Sequence, residues 1–216
     1  MFSAEYDLFT SRFMMNDLLA TFVFFFAVID PIGTVPVFIA VTSHYGEKTK
    51  RKIAFKATIV SFLVLMFFVI AGELVLTAVK VPISAFQVAG GVVLFLFAMT
   101  MIFGDTKPET EMKMACDGSA TAIFPLAVPS IASPGAMLAA VLMTNNSQFN
   151  LFEQFMTSAI IASVLVVTFI FMLLASFIYR IIGANGASIV SRVMGIILAS
   201  VAINSILNGI KIFFHI

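Results

Sequence analysis

The chain has 216 residues, of which 61% are hydrophobic and only 11% are charged, and its mean hydropathy is +1.12. Soluble domains carry about 25% charged residues, so this composition excludes both a soluble globular protein and a disordered chain. A net charge of +1 gives no nucleic-acid signature, and a single cysteine excludes an intramolecular disulfide framework and any multi-cysteine metal site. The composition predicts a polytopic membrane protein that forms one membrane domain over residues 1–216.

Six apolar segments are long enough to cross a hydrocarbon core of about 30 Å as helices. Their apolar runs are continuous and lack the two-residue alternation of membrane strands, so we expect helices throughout. In chain order the predicted spans cover residues 13–43, 53–79, 81–104, 118–152, 154–179 and 188–212.

Lysine and arginine are distributed unevenly between the two sets of connections. Nine of them lie in or beside the connections between spans one and two, three and four, and five and six, whereas three lie on the opposite side. The positive-inside rule places the nine-charge side in the cytoplasm and both termini outside. Cys116 then lies in a cytoplasmic connection, where a free thiol stays reduced.

An internal repeat relates the two halves of the chain. Pro31 and Pro134 are 103 positions apart, and Gly90 and Gly195 are 105 positions apart, so two separate features give nearly the same offset. Two copies of three spans must enter the membrane from opposite sides. We therefore predict an all-α integral membrane fold, a 3+3 inverted repeat whose helices one and four are broken. Repeat one covers residues 13–104, a cytoplasmic linker covers 105–117, and repeat two covers 118–212.

Proline use marks the breaks. Five of the seven prolines lie inside the first and fourth predicted spans, and Asp30-Pro31 and Ser133-Pro134 each read as an N-cap followed by proline at the first helical position. Two helix N-termini near mid-bilayer would point N–H groups into a shared pocket suited to a carboxylate. The alternative is a pair of proline kinks, in which the cap only stabilises the bend.

The predicted substrate site is built around these breaks. Gly33, Gly135 and Gly90 are expected to leave room for only a small side chain, and hydroxyl groups are expected to add hydrogen bonds. In span six, Asn204 lies on a polar helical face with Ser200 and Asn208 and either contacts the ligand or bridges helices. The predicted substrate-binding residues are Asp30, Pro31, Gly33, Thr34, Gly90, Ser133, Pro134, Gly135 and Asn204.

Asp30 is the one acid predicted at mid-membrane depth, where a charge costs at least about 2.5–3.5 kcal/mol. Three roles stay open for it: helix cap, proton carrier, or partner of a substrate ammonium group. No enzyme motif accompanies it, because His44 and His215 lie on opposite predicted faces, and phosphate loops, zinc helices and nucleophile elbows are absent from the sequence. We expect no catalytic residue, no cofactor and no bound metal.

Proline and glycine motifs recur in four of the predicted spans. They are residues 30–36 (DPIGTVP), 88–91 (VAGG), 124–129 (FPLAVP) with 133–136 (SPGA), and 194–195 (MG) with 207–210 (LNGI). The first resembles the DPxGxxP signature of the MarC family of six-span inner-membrane proteins. The FPLAVP and SPGA segments resemble that family's PLAxP signature and the GPG that follows it, and the resemblance covers nearly the whole chain.

The resemblance implies an inverted repeat, a bacterial inner-membrane location, and proton-driven transport of small neutral amino acids such as glycine and alanine. This sequence has Ser133 where glycine is common and Asn204 where glutamine is expected, and both differences bear on the substrate. The hypothesis is a secondary transporter that binds a small zwitterion, with protons as the candidate coupling ion and lipid as its surroundings. Two alternatives stay open: a channel or exporter for another small solute, and a non-transporting membrane factor whose breaks are packed shut.

Overall fold

A computed structural model describes residues 18–78, 80–103, 126–144 and 149–214, and within these ranges the ordered elements are all helical. The helices are α1 (18–29), α2 (Pro31–Thr42), α3 (Glu47–Ala78), α4 (Ile83–Phe103), α5 (Pro134–Leu142), α6 (Leu151–Leu173) and α7 (Ala175–Phe214). A short π-helical segment, Leu126–Ile131, precedes α5.

The helical spans agree with most of the predicted ones. Five stretches of the described chain are long and apolar enough to cross a membrane: Leu18–Thr42, Glu47–Gly72, Ile83–Phe103, Leu151–Leu173 and Asn185–Phe214. They correspond to predicted spans one, two, three, five and six. Part of the predicted fourth span lies outside the described residues, as do the whole of the predicted linker 105–117 and Cys116. Six spans and the inverted repeat therefore stay predictions.

Local signals set where α6 begins and where α7 is interrupted. Asn150 caps α6 by accepting a hydrogen bond from the Glu153 amide at 2.9 Å, and the Glu153 carboxylate accepts one from the Asn150 amide at 2.8 Å. Gly183 interrupts α7 with φ 67°, a conformation that glycine adopts without steric cost. The membrane-spanning part of α7 follows this interruption.

Helices α4 and α7 form the most extensive helix pair. Along both helices, small buried residues recur every seventh position and so share one face. They are Ser84, Gly91 and Ala98 on α4, and Gly195, Ala202 and Gly209 on α7. A Cβ at Gly91 would lie 2.9 Å from the Ala202 carbonyl oxygen, and one at Gly195 would lie 3.2 Å from that of Ala98. The pair is therefore antiparallel, and its backbones approach closely.

The first span crosses the bundle from end to end in spite of its interruption. Leu18 of α1 shares a cavity wall with Phe152 in the first turn of α6, whereas Phe38 of α2 shares one with Met172 in the last turn of α6. The two halves thus accompany the same helix from its start to its end. In this span the break therefore lies within a crossing helix.

Candidate functional site

The break in the first span is centred on Asp30, whose side chain is 1% exposed. Its backbone has φ 51° and ψ 69°, the left-handed conformation that aspartate tolerates better than most residues. Its Oδ1 accepts a hydrogen bond from the Gly33 amide at 2.9 Å, and its carbonyl oxygen accepts from the Thr34 amide and hydroxyl, each at 3.0 Å. Asp30 therefore caps α2, and Pro31 occupies the first helical position, as the sequence predicted.

The second carboxyl oxygen of Asp30 has a partner on a distant helix. The Ser191 hydroxyl of α7 donates to Asp30 Oδ2 at 2.7 Å, and Ser191 is fully buried. Asp30 Oδ1 thus accepts from an amide of the helix that it caps, and Oδ2 accepts from a hydroxyl 161 positions away along the chain. Sequence reasoning missed Ser191, because its only signal is a serine in an apolar span, which does not reveal the helix it faces.

The break in the fourth span lies against the first break. Ser133 has an extended backbone, and its Oγ accepts a hydrogen bond from the Ala136 amide at 3.2 Å, so it caps α5. The same hydroxyl donates at 3.4 Å to the carbonyl oxygen of Val28, two residues before Asp30. The two breaks are therefore in contact, with Ser133 itself 1% exposed, whereas the shared substrate pocket stays a prediction.

The two caps use part of the donor capacity of the helix ends. Proline at the first position of each helix has no N–H. The Asp30 side chain accepts from the Gly33 amide, and the Ser133 side chain accepts from the Ala136 amide. The carbonyl groups of Asp30 and Ser133 accept from the next amide of each helix. In each first turn this leaves one amide outside the cap, that of Ile32 in α2 and that of Gly135 in α5. Each end offers a ligand fewer donors than an uncapped helix would.

The predicted glycines lie in closely packed surroundings. A Cβ at Gly33 would overlap the Asp30 carboxyl group, and a Cβ at Gly135 would lie 3.2 Å from the side chain of Leu94. A Cβ at Gly90 would lie 2.8 Å from a leucine of α5. Protein atoms therefore occupy the space that these glycines leave, and the glycines allow the helices to approach one another around the breaks.

Asn204 does not share the position of the breaks along α7. It lies thirteen residues beyond Ser191, which corresponds to about 20 Å of helix. Its side chain is exposed and lines a cavity of about 200 Å³ together with Gln87 and Asn208. The structure thus groups seven predicted site residues at the breaks, places Gly90 in the α4–α5 contact, and places Asn204 at a separate cavity.

Two further buried polar atoms were missed from the sequence. The hydroxyl of Ser130, three residues before the Ser133 cap, and Oε1 of Gln87 on α4 are both buried without a hydrogen-bond partner among the described residues. Such groups are uncommon in folded proteins and call for a functional or structural reason. The sequence offered only weak indications of these two residues. Ser130 lies in a proline-rich apolar stretch, and Gln87 is the one residue with an amide side chain in an uncharged span.

Apolar membrane-length helices with exposed apolar surfaces, together with helix breaks buried inside the bundle, define a multi-pass integral membrane protein. Residues 15–214 match the MarC family, described as integral membrane proteins, and the chain belongs to this family. The sequence-based recognition is thus confirmed.

Curated relatives come from both bacteria and archaea. The chain is 31% identical to a UPF0056 membrane protein of Archaeoglobus fulgidus, over 88% of this chain and 91% of the relative. It is 30% identical to the UPF0056 inner membrane protein YhgN of Escherichia coli K12, over 91% and 98%, and 31% identical to the UPF0056 membrane protein YvbG of Bacillus subtilis, over 92% and 96%. No solved structure matches the chain.

Proposed function

We propose that the protein is a secondary transporter of small neutral amino acids such as glycine and alanine, acting without covalent chemistry or a cofactor. The observation that carries the proposal is the contact between two capped, proline-initiated helix breaks, made by the Ser133 hydroxyl and the Val28 carbonyl. Paired broken helices that meet inside the bundle are the usual construction of a transporter site. Non-helical backbone at that depth is otherwise expensive in lipid.

Cavities at both ends of the bundle support alternating access. One, of about 200 Å³, includes Phe149 beside the start of α6, and the other, of about 260 Å³, includes Met172 at its end. Along the first span the buried Asp30 lies between Phe24, which lines the first cavity, and Phe38, which lines the second. A solute would reach the breaks from one end at a time, as one half of the protein rocks against the other.

The contacts of α4 and α7 support the inverted repeat on which this motion depends. A shift of 104 positions brings Gly91 onto Gly195 and Ala98 onto Ala202. All four residues lie on the face where α4 and α7 contact each other, so like residues fall at matching places of the two helices. The shift lies between the offsets of 103 and 105 found for the prolines and glycines of the sequence.

The packed breaks also suit a second candidate function, that of a membrane factor that moves no solute. Asp30, Ser130 and Ser133 are each at most 1% exposed, and the caps satisfy the breaks internally. The two candidates differ in whether the breaks ever open to a solute, which transport measurements decide.

Uptake of labelled L-alanine into proteoliposomes tests the proposal. We expect saturable uptake, because the number of binding sites is fixed and limits the rate. We also expect uptake to increase when a pH gradient is imposed, because protons are the proposed coupling ion. Absence of saturable uptake with and without the gradient would contradict transport and favour the non-transporting factor. Ion conductance that does not saturate with ion concentration would instead indicate that the protein is a channel.

We propose further that both termini face the outside of the cell, as the charge distribution predicts. In a Cys116→Ser background, Ser3→Cys is expected to react with a membrane-impermeant maleimide in intact cells. Ser43→Cys, which follows the last residue of α2 on an exposed turn, is expected to react only after permeabilisation. The reverse labelling pattern would reverse the orientation.

A further inference from the structure

A small polar cavity lies between α1, α4, the end of α5 and α7, with a volume of about 200 Å³. Uncharged polar side chains supply part of its wall: Gln87, Asn204, Ser205 and Asn208. The remaining lining is apolar and includes Phe24 and Leu94. The described residues around it carry no charge, so hydrogen-bonding groups and apolar surface together define the ligand that would fit.

Gln87 gives the strongest indication of a ligand. Its side-chain oxygen is buried and has no hydrogen-bond partner among the described residues. A buried acceptor without a hydrogen bond lowers the stability of the fold by about 1–3 kcal/mol. If Gln87 had only a packing role, an apolar residue at this position would make the protein more stable. Gln87 lines the cavity, so a turn of its terminal amide group would bring this oxygen to the cavity wall, where the three donors of an ammonium group would satisfy it.

The polarity of the wall restricts the class of ligand. A ligand with a net charge would lose its hydration here without meeting an opposite charge, which is costly. A zwitterion is neutral overall: amide oxygens of Gln87 and the asparagines can accept from its ammonium group, and amide N–H and hydroxyl groups can donate to its carboxylate. Drug-sized ligands occupy pockets of about 300–1,000 Å³, so a cavity of 200 Å³ suits a molecule of a few heavy atoms.

The cavity is separated from the second break by one side chain. Leu94 lines the cavity and is fully buried, and its Cδ2 lies 3.2 Å from the position that a Cβ on Gly135 would occupy. Gly135 is the second residue of α5 and adjoins the capped break. A solute in the cavity would thus lie one leucine away from the helix N-terminus.

The geometry points to this cavity as a binding site for small zwitterionic amino acids, in which Gln87, Asn204 and Asn208 hold the charged groups. The assignment of the ligand class rests on the proposed transport function. The site itself is distinct from the breaks, because Asn204 lies about 20 Å along α7 from the serine that contacts Asp30.

Equilibrium binding of L-alanine to the purified full-length protein in detergent, measured by calorimetry, tests this site. Gln87→Leu is expected to raise Kd at least about tenfold, since a hydrogen bond to a charged group is lost. The same variant should unfold at the wild-type temperature or above, because Gln87 Oε1 has no partner to lose. Thr100→Val on the same helix is the matched control, because the Thr100 hydroxyl is exposed and bonds its own helix at Phe97 O. L-Glutamate should not compete with alanine.

Alanine binding that is unchanged in Gln87→Leu, or absent from the wild-type protein, would overturn the assignment. Failure of the site and failure of transport give different results. Gln87-dependent binding without uptake into proteoliposomes would support the binding site and contradict the transport function. Saturable uptake with the same KM in wild type and Gln87→Leu would support the transport function and contradict the binding site.

Discussion

Replacing Gly33 by alanine is expected to destabilise the protein by about 1.5–5 kcal/mol, because the new Cβ would overlap the Asp30 carboxyl group that caps α2. The estimate joins overpacking of about 1–3 kcal/mol with loss of a cap, about 0.5–2 kcal/mol. The Cβ would also lie 2.8 Å from the Ser191 hydroxyl, so the contact between the first break and α7 would be disturbed. Thermal unfolding of the purified protein should show a Tm lower by on the order of 10 °C.

Gly46→Ala is the matched control for this prediction. Gly46 lies between α2 and α3, and a Cβ built on it meets nothing within 4 Å, so its replacement should leave Tm nearly unchanged. Equal Tm values for Gly33→Ala and Gly46→Ala would show that the cap does not determine the stability of the break.

Asp30 is expected to respond differently to asparagine and to alanine. Asparagine keeps an oxygen for the Gly33 amide, tolerates the left-handed backbone, and can place its amide group against the Ser191 hydroxyl. The fold should therefore survive, with Tm within a few degrees of wild type. Alanine removes the cap and leaves the buried serine hydroxyl without its acceptor, for a loss of about 2–4 kcal/mol.

Transport by the asparagine variant separates the roles of Asp30. If the carboxyl group binds the substrate ammonium, alanine uptake by Asp30→Asn should fall about 10- to 100-fold, the effect of losing one hydrogen bond to a charged group. If it carries the coupling proton, uptake by this variant should no longer increase with the pH gradient. The measurement is initial uptake into proteoliposomes with and without a pH gradient, normalised to folded protein. Wild-type uptake by this variant would restrict Asp30 to capping α2.

The caps and the breaks could be predicted from the sequence because they are local. A cap residue followed by proline acts within three or four positions, and both Asp30 and Ser133 make the predicted bond to the third helical residue. Five of the six predicted spans could also be predicted from the sequence, since length and hydropathy decide them.

Contacts between distant helices could not be predicted in the same way. Ser191 meets Asp30 across 161 positions, and nothing in its immediate sequence specifies how α7 is rotated. Helical spacing placed Ser200, Asn204 and Asn208 on one face. The two asparagines line one cavity without Ser200, and the spacing could not say that this cavity also includes Gln87. The sequence also indicated open helix ends, whereas the structure shows that each cap residue occupies an amide of its own helix.

The close approach of α4 and α7 has a mechanical consequence. Because carbonyl groups of each helix face glycines of the other, a slide of one helix by a few residues would drive a bulky side chain into the opposing backbone. Only tilting about the seam leaves these contacts intact. We therefore expect that any movement that exposes Asp30 keeps the contact between α4 and α7 and shifts the broken spans relative to this pair of helices.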